Sequence, residues 1–95
     1  MFEFSFDPAK SERNLVTRGL PFSLASGFDW PGALIEADLR FDYGEPRYRA
    51  LGMISDRLFQ IVFTPRGAKV HIISLRKVNA REVKRYAQKA QKARE

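Results

Sequence analysis

The side chains in this chain that could do chemistry are arginine, lysine, tyrosine, one histidine and a few carboxylates. There is no cysteine, and His71 is the single histidine, so no thiolate, Ser-His-Asp nucleophile or structural zinc site can be assembled. The acidic residues do not gather at metal-ligand spacing, and the six glycines are too scattered to cradle a phosphate. No spacing calls for a metal or another cofactor. What remains suits a metal-free cleavage of RNA, in which the ribose 2′-hydroxyl attacks the neighbouring phosphorus. Such chemistry needs a base for the hydroxyl, an acid for the departing 5′-oxygen and cations on the phosphorane. The same inventory would serve an RNA-binding patch that cleaves nothing.

The charge is divided between the halves of the chain. Residues 1–46 carry four Lys/Arg against eight Asp/Glu, and residues 47–95 carry thirteen against three, within an overall net charge of +6. A polyanion is the simplest partner for the second half, because each cation that neutralises a phosphate releases a counterion. The alternative is a helix whose basic face is merely solvated. Ninety-five residues of ordinary apolar content make one domain, 1–95, with one core. No apolar run approaches a membrane span, and the opening residues lack a basic stretch followed by an apolar one, which points to the cytoplasm.

These side chains must be positioned by a short series of elements. Phe2, Phe4 and Phe6 alternate with Glu3 and Ser5, the period of a half-buried strand. Asp7 caps a helix, Pro8 takes its first position, and Gly19 stops it after Arg18. Ala9, Leu15 and Val16 give that helix a thin apolar face. A second short helix starts at Ser23 and ends before Trp30-Pro31-Gly32. Strands follow over 33–38, 47–54, 57–64 and 69–77, with a glycine-containing loop at 39–46 and tight turns at Ser55-Asp56 and at 65–68. Connections this short demand antiparallel pairing. A last helix opens at Asn79, with Glu82 completing a capping box and Val83, Tyr86, Ala87 and Ala90 as its apolar stripe. Residues 91–95 have little to bury, so they fray or dock on a partner. The order β-α-α-β-β-β-β-α predicts an α+β domain, an antiparallel sheet with helices on one face and the opposite face partly open for a site.

Strand alternation constrains that site. In 69–77, Val70, Ile72, Ser74 and Arg76 point one way and His71, Ile73, Leu75 and Lys77 the other, so His71 and Arg76 share a face only if a bulge intervenes. His71, between Val70 and Ile72, also reads as a satisfied structural histidine. Arg76 ends an apolar strand and needs an anion, which is a phosphate or a carboxylate such as Glu45 or Glu82. Arg47 and Arg49 share one face of their strand. Tyr86 reads as core. Phe28 and Trp30 close the edge of the core, or Trp30 stacks on a base.

In order along the chain, Phe4-Ser5-Phe6-Asp7-Pro8-Ala9-Lys10, Asn14, Arg18-Gly19-Leu20-Pro21-Phe22 and Ala25 resemble the opening of BrnT-type toxins. Glu45-Pro46-Arg47 before Ala50-Leu51-Gly52 resembles the family's E-x-R segment. Phe63-Thr64-Pro65-Arg66-Gly67 and Ile72-Ile73-Ser74-Leu75-Arg76 are similar to its T-x-R and I-I-S-x-R signatures, and Glu82 with Tyr86 to its E-x-x-x-Y helix. The resemblance spans residues 2–86. It implies a RelE-like fold and a ribonuclease toxin of a type II toxin–antitoxin module that halts translation. It implies also a BrnA-type antitoxin partner, a heterotetramer of two toxins with two antitoxins, and operator DNA bound through the antitoxin. Two departures stand out: Thr17-Arg18-Gly19 replaces the family's usual Lys-His-Gly, and His71 stands where arginine is usual. Arg18 can neutralise a phosphate but cannot carry a proton at neutral pH.

The residues and the resemblance together assign Arg47, Arg66 and Arg76 to phosphate and transition-state contacts, with Glu45 or His71 as base. Lys10, Arg18, Arg49, Lys77 and Lys84 bind or steer RNA. The alternatives are a catalytically weak or inactive toxin-like protein that binds antitoxin or RNA, and a free-standing nucleic-acid-binding module.

Overall fold

The structure is a computed structural model that describes residues 3–94, apart from the side chains at positions 90 and 92–94. Phe2 and Glu95 lie outside the described residues. The elements are β1 (Glu3–Phe6), α1 (Pro8–Arg18), a 3₁₀ helix (Phe22–Gly27), β2 (Leu34–Ala37), β3 (Tyr48–Ile54), β4 (Arg57–Arg66), β5 (Lys69–Lys77) and α2 (Ala80–Arg94). They build an α+β domain on a five-stranded sheet of order β1-β5-β4-β3-β2. Three of its four strand pairs are antiparallel, two across the tight turns that require it and β2–β3 across the loop of residues 38–47. The fourth is not: β1 runs parallel to β5, which is possible because residues 7–68 lie between them and supply the crossover.

The local signals of α1 act as their chemistry dictates. Asp7 accepts a hydrogen bond from the Ala9 amide at its N-terminus, and Gly19 closes the C-terminus at φ 71°, where a side chain would be strained. The expected apolar face does not hold it, however. Ala9 is exposed, Leu15 is 41% and Val16 76% exposed, and the buried residues are Ser11 and Asn14. The Asn14 side-chain amide donates to the carbonyls of Leu20 (2.7 Å) and Leu75 (2.9 Å), and the Ser11 hydroxyl accepts from the Phe22 amide at 3.0 Å. α1 is therefore fastened by polar contacts, satisfied in pairs, to the sheet and to the chain that follows it.

The core lies on the face of the sheet covered by α1 and the 3₁₀ helix. Leu20, Phe22, Ala25 and Phe28 meet Ala50, Phe59, Ile61, Phe63, Ile72 and Leu75 there. Each large apolar side chain buried in this way contributes about 1.5–3 kcal/mol. Trp30 closes one edge, 4.8 Å from Phe28 and 5.3 Å from Phe63 between ring centres, with Phe4 stacked at 5.8 Å. Gly52 is required by close approach: a Cβ there would sit 2.6 Å from the Phe28 ring.

Alternation along β5 is interrupted. Phe63 pairs with Ile72 but Val62 pairs with Ser74, so Ile73 is an extra residue, a β-bulge. Ile72 (1% exposed) and Leu75 (0%) both enter the core, which an unbroken alternation forbids. The bulge overturns the expectation that His71 and Arg76 face opposite ways: both now lie on the second face of the sheet. α2 also differs from expectation, since its partners Glu36 and Arg76 stand on that second face, so helices cover both sides. Val83 (46% exposed) and Ala87 are exposed rather than buried, and the helix continues to Arg94.

Candidate functional site

Strand register arranges the second face in rows. Ser5, His71 and Thr64 lie side by side across β1, β5 and β4. The next row is Ser74, Val62, Arg49 and Glu36, and the one beyond is Arg76, Gln60, Leu51 and Leu34. Arg47, two residues before Arg49, belongs to the first row by alternation. Leu51, Leu58 and Val62 are buried on this face, together with the polar Gln60 and Thr64.

The first row holds the tighter constellation. Glu45 reaches Arg66 at 3.3 Å, and its other oxygen stands 4.0 Å from Arg47 Nε. Glu45 Oε2 and Arg47 Nε are both buried without a hydrogen-bond partner among the described residues, so the pair is ordered by charge and leaves bonding capacity unused. The Arg47 guanidinium lies 4.1 Å over the Tyr43 ring, a cation–π contact that fixes its plane. His71 Nδ1 is 2.8 Å from Ser5 Oγ. Burial, then the positive charge of Arg66, holds the imidazole below its usual pKa of 6.5. It is therefore neutral at pH 7. With Nδ1–H donated to Ser5, Nε2 is an unprotonated acceptor; that tautomer is an assignment, since the contact serves either one.

The loop that delivers Glu45 and Arg47 is held by Asp38, a residue that sequence reasoning missed. Its carboxylate is buried and accepts both arms of Arg40 at 2.8 Å and the Tyr43 hydroxyl at 3.2 Å. Arg40 holds that carboxyl well below the usual range. The Asp38 amide donates to the Arg47 carbonyl (2.8 Å), and Thr64 Oγ1 donates to the Pro46 carbonyl (2.5 Å), which ties the loop to β4 beside His71. Only the sequence run Asp38, Arg40, Tyr43 hinted at this knot.

The remaining expected residues fall elsewhere. Arg76 is gripped by both oxygens of Glu82 at 2.8 Å and by Gln60 at 3.1 Å, so of its possible anions the carboxylate is present. Arg49 stands 3.9 Å from Glu36, which also takes Arg85 at 2.5 Å and Lys89. Together these line a polar cavity under α2. Arg18 extends from α1 to the Leu75 carbonyl (3.4 Å) and shares a depression with Leu20, Arg76 and Lys77. Lys84 is exposed on α2 and joins no group among the described residues. Lys10 lies within electrostatic reach of His71. Tyr86 gives its hydroxyl to the Gly32 carbonyl (3.2 Å). Among the described residues no three His, Cys, Asp or Glu side chains come together as metal ligands, and no helix is long and apolar enough to cross a membrane.

Fold and site together define the class: a small α+β protein that presents arginines and one neutral histidine on the second face of its sheet. The family model described as "Ribonuclease toxin, BrnT, of type II toxin-antitoxin system" matches residues 6–82. The chain belongs to that family, and it is accordingly a ribonuclease toxin of a type II system, for which an antitoxin is the partner. A search of curated proteins found no match.

Proposed function

We propose that this toxin cleaves RNA without a metal, by 2′-hydroxyl attack, at the constellation of Glu45, Arg47, Arg66 and His71. The observation that supports this most is the Ile73 bulge, which leaves a neutral imidazole on the arginine-bearing face. His71 takes the proton of the 2′-hydroxyl. Arg47 and Arg66 hold the non-bridging oxygens of the phosphate, whose charge rises in the transition state. Glu45 keeps both guanidinium groups aimed. The chain has no second histidine, so the 5′-oxygen takes its proton from water. Arg76 serves as a positioning residue, through Glu82 and α2, and Arg49 as a contact to a neighbouring phosphate. Lys84 steers at long range. The toxin acts in the cytoplasm, where it stops translation and is neutralised by a BrnA-type antitoxin, two copies of each forming the complex that binds operator DNA through the antitoxin.

The test uses purified, antitoxin-free protein in EDTA. RNA is cut, with 2′,3′-cyclic or 3′-phosphate ends. His71→Ala and Arg66→Ala each lower kcat/KM by about 10²–10⁴, and activity falls as pH drops through the lowered His71 pKa. Intact RNA beside folded protein, or cleavage that returns only with added metal, sinks the proposal. A second reading is favoured by Arg18, which cannot move a proton where the resemblance expects histidine: a toxin-like protein that binds antitoxin or RNA but does not cleave. It requires antitoxin binding with no growth arrest on induction.

A further inference from the structure

The cations that face α2 are matched by carboxylates; those along α1 are not. Arg76 has Glu82, Arg85 and Lys89 have Glu36, and Arg40 has Asp38. Lys10, Arg13 and Lys77 are exposed and form no ion pair among the described residues, and Arg18 gives one arm to a backbone carbonyl. A row of cations without carboxylate partners thus lines the α1 side of the molecule, while Arg57, Lys69, Arg81 and Lys84, also outside any ion pair among the described residues, stand apart at turns and on α2.

Helix geometry lines it up. Lys10, Arg13 and Thr17 follow one flank of α1, next to the buried Ser11 and Asn14, while Glu12 is turned about 200° from Lys10 at about 100° per residue. That flank borders a shallow groove against Phe22 and Ile73, and Arg18 carries it into the depression shared with Lys77. From Lys10 to Arg18 the helix rises about 12 Å. At its start Lys10 is within electrostatic reach of the His71 imidazole across the β1–β5 edge of the sheet. The groove follows the outer edge of β5, which β1 pairs only as far as Ile72. An added protein strand would need the edge carbonyls, but that of Leu75 is already taken by Asn14 and Arg18. What the edge still offers is positive charge.

We propose that this flank is the path of the RNA strand away from the cleavage site, its sugar–phosphate backbone lying along Lys10, Arg13, Arg18 and Lys77. The path rests on the reading of the His71 constellation as that site. It assigns Arg13, which no signature singled out, to substrate binding.

The test is binding of a 2′-O-methyl oligonucleotide of about eight residues, which cannot be cleaved, followed by anisotropy across a salt series. Arg13→Glu and Lys77→Glu are each expected to weaken binding about fivefold or more and to lower the log–log salt slope by about 0.7 for each phosphate no longer neutralised. Arg57→Glu, the same charge change at the β3–β4 turn, leaves affinity within about twofold, the result expected if position rather than net charge decides. Equal weakening in all three variants, or no measurable binding by the wild type, overturns the path. So does an Arg13→Glu variant that binds the oligonucleotide normally but loses its antitoxin. The outcome is separable from the cleavage proposal: an uncut RNA with this binding pattern removes the nuclease mechanism and leaves the path, and cut RNA without the pattern does the reverse.

Discussion

Two hydrogen bonds from the Asn14 amide, to Leu20 and to Leu75, set where α1 lies on the sheet, and no apolar side chain of that helix could take their place. Removing the amide strips the Leu20 carbonyl of its donor and leaves the Leu75 carbonyl only the long bond from Arg18, which costs more than the bonds themselves contribute. Asn14→Ala is expected to destabilise the fold by about 2–3 kcal/mol, seen as a Tm lower by about 10 °C or more for a domain of this size. A shift under about 3 °C would mean that α1 is held by something else. This is also where the sequence was least legible. An asparagine and a serine in an amphipathic helix read as solvent-facing, because the asparagine's partners are carbonyls of residues 6 and 61 positions away. Asp7 and Gly19 were readable because the groups they satisfy are their own neighbours. His71 was found by its rarity, but the direction it faces was not.

That direction belongs to the level of elements. A bulge exists in the pairing of two strands rather than in either strand alone, and nothing in Ile72-Ile73-Ser74 distinguishes it from a regular run. The strands and the last helix were legible from alternation and turn chemistry; the side on which α2 docks was not, since its apolar stripe is not what holds it. α2 is attached chiefly by ion pairs: Arg85 and Lys89 to a half-exposed Glu36, and Glu82 to Arg76. Charges at a surface are screened within about 3 Å at 1 M salt. Hydrogen exchange in α2 is therefore expected to accelerate severalfold between about 0.05 and 1 M NaCl while β4 is unaffected. If α2 and β4 respond alike, apolar packing holds the helix after all.

For the whole molecule, the shifted groups set how stability depends on pH. Asp38, Glu36 and Glu82 all have pKa values lowered by cations, Arg40 for the first, Lys89 and Arg85 for the second and Arg76 for the third. Their contribution is complete above the ordinary carboxylate range and is lost as pH falls through the lowered values. His71 acts earlier: because its folded pKa lies below 6.5, the unfolded chain binds the proton first, and stability declines as pH drops from 6.5 toward the folded value. Tm is thus expected to fall in two stages on acidification, and His71→Ala should abolish the first alone. A first stage that survives the substitution would trace to another group. The parallel pairing of β1 with β5 has a temporal consequence. Ser5 and His71 stand 66 residues apart in sequence, so a polypeptide growing from its amino end cannot join them until β5 has emerged from the ribosome. A chain that is still being made, or that terminates early, has the arginine of the loop but not its histidine in place. Synthesis of this toxin therefore brings the proposed His71 constellation together only once β5 is made.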